Sequence, residues 1–302
     1  MSHLEGLSHP SEMEFLGDPK SGARTHRPPK AGRAKFGATG NSFRGNLGVR
    51  TRRVAFGRTS RMFRNGQNSL DLESMNVAEN LERVREQIAT AAAKSSRSAD
   101  DVELVAITKT HPAEKVREAI EAGQTLFGES RVQEARAKIP ELPSTLRWHF
   151  VGHLQKNKVR HALPLFEMIH SVDSLALAQD MNRIAEEEGL YPRVLLEVNM
   201  AGEGSKFGFA SDKLREQMEA LLSQPRLSIE GLMCIPPLAD ESEATRKCFV
   251  QLRGLRDSLA NEFDVKLPQL SMGMTNDFPV AVEEGATLVR VGTAIFGERA
   301  RR

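Results

Sequence analysis

Residues Val102–Ser130 read VELVAITKTHPAEKVREAIEAGQTLFGES, and the order of patterns in this stretch decides the fold. VELVAIT is a short, nearly continuous apolar run, the signature of a strand buried on both faces. PAEKVREAIEAG opens on Pro112 and closes on Gly123, the start and stop marks of a helix. TLFGES is a second strand-length run. Strand, helix and strand in succession form the repeating unit of a parallel sheet.

The unit recurs along the chain. Further strands are expected at Arg147–His153 (RWHFVGH), Met168–Asp173 (MIHSVD), Arg193–Met200 (RVLLEVNM) and Leu227–Pro236 (LSIEGLMCIP). Two more follow at Gln269–Met274 (QLSMGM) and Thr287–Gly297 (TLVRVGTAIFG). Helical patterns separate them: one from Arg131, one through Lys158, one ending at Gly189, then Asp212–Ser223 and Phe249–Leu259. Eight strands alternating with helices over roughly 200 to 250 residues predict an α/β protein built as a single (β/α)8 barrel of the TIM type. A doubly wound open sheet is the alternative, but no Gly-x-Gly-x-x-Gly turn follows the first strand.

Ahead of the barrel, MNVAENLERVREQIATAAAK places Val77, Leu81, Val84 and Ile88 on one helical face. Before Met75 that periodicity stops. Residues 1–74 carry 13 Lys and Arg against 6 Asp and Glu, whereas the remainder carries 29 against 34. From Lys20 to Arg64 every charge is positive, among Gly, Pro, Ser and Asn. Such a segment cannot bury enough apolar surface to offset its ordering entropy, so a disordered basic extension is expected over 1–74 and the barrel over 75–302. Three roles compete for the extension: a nucleic-acid-touching tail, a targeting peptide, or an over-extended start with Met75 as the true first residue. The third is favoured, and no nucleic-acid partner is expected.

Of the 302 residues, 39% are hydrophobic and 27% charged, as in a globular protein, and no apolar run approaches the ~20 residues of a membrane span. Cys234 and Cys248 are the only cysteines, which gives neither a disulfide framework nor zinc spacing and favours a reducing, cytoplasmic setting.

Chemistry in this fold sits at the C-terminal ends of the strands. Lys109 directly follows the first strand. Desolvation there lowers a lysine pKa, and a neutral amine is what a carbonyl needs to form a Schiff base. A lone lysine in that position more often reaches out to solvent. The balance shifts because Ser271-Met272-Gly273 after strand seven and Gly292-Thr293 at strand eight put glycines and hydroxyls where barrels bind phosphate. Arg290, two residues before Gly292, shares its side of the strand and can meet either a phosphate or the edge of a pyridine ring. Beside a ring nitrogen an arginine would leave the pyridine unprotonated, a poor electron sink. His153 and Asn157 in RWHFVGHLQKNK are read as part of the pocket or a brace for its loop. His149 and His153 are four apart but flank a strand end without a third ligand, so no metal is expected. Lys206, in a glycine-rich loop, is read equally as a residue reaching over the site and as a solvated surface lysine.

The motifs VAITKTHP, FGESRVQE, WHFVGHLQKNK, VNMAGEGSKFGF, GLMCIPP and LSMGMTNDFPVAVEEGATLVRVGTAIFGER together resemble the YggS/PROSC family of pyridoxal phosphate homeostasis proteins. The resemblance covers residues 75–302. It implies a barrel similar to the N-terminal domain of alanine racemase, with pyridoxal 5′-phosphate as a Schiff base on Lys109. It also implies that Ser271, Gly292 and Thr293 hold the phosphate and that Arg290 meets the ring nitrogen. Where the family shows Asn after FGE, this chain has Ser130, which is shorter and lacks the amide.

Two-base racemisation needs an acid or base on each face of the cofactor. The only tyrosine, Tyr191, precedes the fifth strand and so belongs to the opposite end of the barrel. The chain ends a few residues after the last strand, with no sequence for a covering second domain. The expectation is therefore a monomeric carrier of pyridoxal phosphate with no catalytic residues, serving apo-enzymes that use the cofactor. A slow racemase or lyase on the same cofactor is the alternative.

Overall fold

The computed structural model describes residues 76–200, 207–236 and 242–298. The basic extension and Lys206 lie outside the described residues.

Helix α1 (Val77–Lys94) starts where the charge pattern changes. Asn76 accepts the Glu79 N–H at 2.9 Å, and the Glu79 carboxylate accepts the Asn76 N–H at 3.2 Å. This reciprocal capping satisfies two of the donors that a helix start leaves open. Then follow β1 (Glu103–Ile107), α2 (Ala113–Glu121), β2 (Leu126–Glu129), α3 (Val132–Lys138), β3 (Arg147–Phe150) and α4 (Val159–Ala162). The second half holds β4 (Met168–Val172), α5 (Leu175–Glu188), β5 (Arg193–Glu197), α6 (Ser211–Leu222), β6 (Ser228–Met233) and α7 (Ser242–Glu262). It closes with β7 (Gln269–Ser271), α8 (Phe278–Glu283), β8 (Leu288–Val291) and α9 (Thr293–Phe296). The strands form a closed barrel in chain order, every pair parallel, with β8 against β1 through Val105↔Arg290 and Ala106↔Val291.

Alternation along each strand divides the apolar residues between two compartments. Phe127, Phe150, Ile169, Leu196 and Val289 face outward and pack against the helices. Val105, Leu126, Met168, Leu195, Met233 and Leu288 fill the barrel interior. Below that apolar layer, at the N-terminal end, Arg147 pairs with Glu103 (2.5 Å) and Glu167 (2.7 Å), and Arg193 with Glu167 and Glu230 (both 2.6 Å). Glu167 and then Glu103 hold the guanidinium of Arg147 above its ordinary pKa.

Several expected strands end early: RVLLEVNM stops at Glu197, LSIEGLMCIP at Met233 and QLSMGM at Ser271, and two others show why. Only Arg147–Phe150 of RWHFVGH is strand, because Gly152 passes so close to Ser130 that a Cβ there would lie 2.2 Å from the Ser130 carbonyl oxygen. Of TLVRVGTAIFG, only Leu288–Val291 is strand, and Thr293–Phe296 is a helical turn. A short apolar run does not distinguish the two. Here tertiary contacts decide: Ile295 and Phe296 turn into the outer core, and Asn80 of α1 donates to the Ile295 carbonyl at 3.0 Å.

Candidate functional site

The C-terminal ends of β1, β7 and β8 come together at one side of the barrel mouth. Lys109 lies two residues beyond β1, half-buried in the turn that leads to α2. Thr110, next to it, has a φ of +68°, a left-handed conformation costly for a β-branched residue. Its N–H donates to the Glu134 carboxylate at 3.0 Å. Burial works against the charge on Glu134, but this bond and Arg131 outweigh it and hold the carboxyl below its usual range.

Beneath the turn sits a buried ion pair that the sequence reading did not single out. Lys138 of α3 meets Glu129 at the end of β2, and both side chains are almost fully buried. Lys138 also donates to the Thr108 carbonyl at 2.8 Å, and the Thr108 hydroxyl donates to Glu129 at 2.7 Å. The strand end that presents Lys109 is therefore tied by three polar groups to the neighbouring strand and its helix.

Gly292 borders this turn on the β8 side. A Cβ at Gly292 would come within 3.2 Å of the Ile107 carbonyl oxygen, so glycine lets the two strand ends close up. Thr293 is exposed just beyond it, at the start of α9, where the first N–H groups have no partner inside the helix. Met272 differs from expectation. Its side chain is buried in the outer core and its N–H is given to the Leu288 carbonyl at 3.1 Å, so neither faces the mouth. Gly273 accepts the Arg290 N–H at 3.0 Å and so locks the loop after β7 against β8.

Arg290 points into the barrel and is buried. Its Nη1 donates to the Ser271 hydroxyl at 2.5 Å and its Nη2 to the Cys234 carbonyl at 2.9 Å. Burial draws the guanidinium below its ordinary pKa, although an arginine stays charged. Ser271, wholly buried, also meets His170 Nδ1 at 2.8 Å, and His170 Nε2 meets His149 Nδ1 at 3.0 Å. Burial pushes His149 down to about 3 and His170 well below its usual value, so both rings are neutral.

The far side of the mouth is acidic. Glu197, at the end of β5, is buried, and burial pushes its carboxyl up to about 7, with Asp173 adding to the shift and Arg290 opposing it. Asp173 pairs with His153 at 3.0 Å, and the His153 ring stacks on the exposed Phe207 with centroids 3.7 Å apart. His153 thus braces the rim beyond β4, while His149 belongs to the interior. The two histidines have different partners. Asn157 is exposed in a 3-10 turn before α4, and Ser130 is half-buried against Gly152. Tyr191 is 67% exposed just before β5, at the opposite end from Lys109.

The family signature of the alanine racemase N-terminal domain matches residues 79–300. A pyridoxal phosphate homeostasis protein of Aquifex aeolicus is 43% identical over 226 residues, which span 74% of this chain and 99% of that protein. This chain belongs to the pyridoxal phosphate homeostasis protein family. The Escherichia coli protein of that name is 39% identical over 231 residues, covering 74% of this chain and 97% of its own. Among solved structures, PipY of Synechococcus elongatus with PLP bound superposes with a TM-score of 0.66 at 42% identity, over 74% of this chain and all of PipY. The Clostridium difficile alanine racemase shares the fold at 18% identity and a TM-score of 0.59, over 75% of this chain and 57% of that enzyme. Among the described residues no helix is long and apolar enough to cross a membrane.

Proposed function

We propose that this chain binds pyridoxal 5′-phosphate reversibly, as a Schiff base on Lys109, and holds it for delivery to apo-enzymes. The carrying observation is the juxtaposition at the β1–β8 seam. A half-buried lysine lies beside a glycine whose Cβ would obstruct the seam, and a buried guanidinium on β8 has no carboxylate bonded to it among the described residues. The cofactor would supply an aldehyde for the lysine and a pyridine ring able to delocalise electrons. The chain's residues divide the rest of the work. Gly292 and Thr293 offer backbone N–H groups and a hydroxyl to the phosphate. Arg290 directs its remaining N–H donors at the ring, and as a permanent cation it does not yield the proton that would turn the ring into an electron sink. Met272 and the exposed Asn157 have no direct role in this reading. His153 supports the rim.

Carrying rather than turnover fits the placement of Tyr191 at the wrong end of the barrel. The second reading, slow amino-acid chemistry on the same cofactor, rests on Glu197, whose raised pKa allows it to exchange a proton near neutral pH. Borohydride reduction of the cofactor-loaded protein, followed by peptide mapping, should place the label on Lys109. Lys109→Ala should lose the visible absorbance band. A label elsewhere sinks the assignment. Turnover of an amino-acid panel that Glu197→Gln abolishes would favour the second reading over the first.

A further inference from the structure

His170 and His149 are buried in the barrel interior, and the reading of Lys109 and Arg290 leaves them without a task. They form the lower part of a four-member chain, Arg290–Ser271–His170–His149, that ends at His149 Nε2, a buried atom with no hydrogen-bond partner among the described residues. Proton counting fixes the direction of this chain. An arginine only donates, so Ser271 Oγ accepts from Arg290. If the Ser271 proton goes to His170 Nδ1, then His170 donates through Nε2 to His149 Nδ1, and only the His149 Nε2–H is left over. In the reverse direction both the Ser271 proton and a His149 lone pair lose their partners. Each buried orphan costs the desolvation of an unpaired polar group, so the direction with one orphan prevails.

We propose that His170 and His149 are positioning residues for Arg290. By taking the hydroxyl proton of Ser271 in the free protein, they leave its oxygen as a dedicated acceptor that holds the guanidinium in line with the cofactor ring. The inference rests on the proposed cofactor reading and names which residues orient the arginine within it. Both rings stay neutral as pH falls well below the usual histidine range, because burial disfavours a charge on either, and at His170 the neighbouring His149 and the Arg290 cation add to that. The groups facing them are Arg290 from β8, and Arg147, Glu167 and Arg193 from the N-terminal end.

The test begins with long-range ¹⁵N–¹H NMR on the free protein, where His170 and His149 should both appear as neutral Nε2–H tautomers. An Nδ1–H tautomer at His170 overturns the proposal. Binding of pyridoxal and of pyridoxal phosphate is then compared in wild type, His170→Leu and His170→Gln. The leucine variant should weaken both aldehydes by about tenfold, the scale of one hydrogen bond to a charged group. The glutamine variant, able to accept from Ser271 and donate to His149, should restore both. An unchanged affinity in His170→Leu, a loss confined to the phosphorylated aldehyde, or no rescue by glutamine each refute a role through Arg290. Failure of the wild type to bind either aldehyde refutes the cofactor reading instead, and the tautomers still decide the chain.

Discussion

At the N-terminal end of the barrel Arg147 and Arg193 each lie between two carboxylates, whereas at the C-terminal end Arg290 meets a hydroxyl and a carbonyl. The lower arginines are partly exposed and paired, so their charge is spent within the fold. Arg290 is buried and held by neutral acceptors, so its charge remains available to an anion or an electron-rich ring. Carboxylates divide the same way. Glu167 is held below its usual range by Arg147, while Glu197 is pushed up to about 7 by burial. In this barrel, pairing marks the structural end and imperfect compensation marks the end that awaits a ligand.

One buried pair at the upper end departs from that division, and it carries the largest expected effect. Lys138 neutralises Glu129 beneath Lys109. Lys138→Met leaves a buried carboxylate without its counter-charge and should cost about 3 to 5 kcal/mol in chemical denaturation. A loss below 1 kcal/mol would mean that the pair is solvated and that the division between the ends is less sharp than drawn.

Glu197 gives the next largest effect, with a definite sign. Its folded pKa lies above the unfolded value. Below about pH 4 both states are protonated, and the group is neutral to stability. Between about 4.5 and 7 the unfolded chain ionises while the folded carboxyl holds its proton, so this group's contribution to stability falls as pH rises and levels off above 7. Glu197→Gln should therefore match wild type near pH 4 and exceed it at pH 8 by up to about 3 kcal/mol. Equal stability of the two proteins at pH 8 would contradict a raised pKa.

Much of the fold was legible because eight strand-length runs alternate with helices marked by Pro and Gly. Where the reading erred, a local pattern was ambiguous and a distant contact settled it, as at Thr293–Phe296, where α1 holds the turn helical. Of the candidate site, what the sequence made legible was placement: Lys109 after β1 and Arg290, Gly292 and Thr293 at the end of β8 fall on adjoining strands, and their chemistry toward a ligand is the proposal. Glu129 and Asp173 were visible as strand-end polar residues, but their partners were not. Lys138 lies mid-helix among other charges, and only the packing of α3 against β2 shows that it is buried. His170 sits inside MIHSV beside Ser171, two polar residues in an otherwise apolar strand. That break in pattern was a usable signal, because an inward polar side chain must find partners inside the barrel. Met272 failed for a reason of parity: its side chain faces the helices, and its N–H is spent on the sheet.

The sharpest test of the two ends pairs Arg290→Met with Arg147→Met. Arg290→Met removes a buried cation that no carboxylate among the described residues bonds, and a methionine can occupy the apolar volume of its stem. Stability should change little, since losing the two bonds to Ser271 and the Cys234 carbonyl is offset by relief of desolvation. Affinity for pyridoxal phosphate should fall by about 10- to 100-fold, the equivalent of one or two hydrogen bonds from a charged donor. Arg147→Met should do the reverse. It leaves cofactor affinity unchanged, because the site lies beyond the apolar interior layer. It lowers stability by only about 1 kcal/mol, because its partners are partly exposed and regain water. Affinity and stability thus separate between two arginines of one barrel. If Arg147→Met weakens cofactor binding as much as Arg290→Met does, the ends are coupled through the interior, and the apolar layer does not isolate the ligand-facing charges from the structural ones.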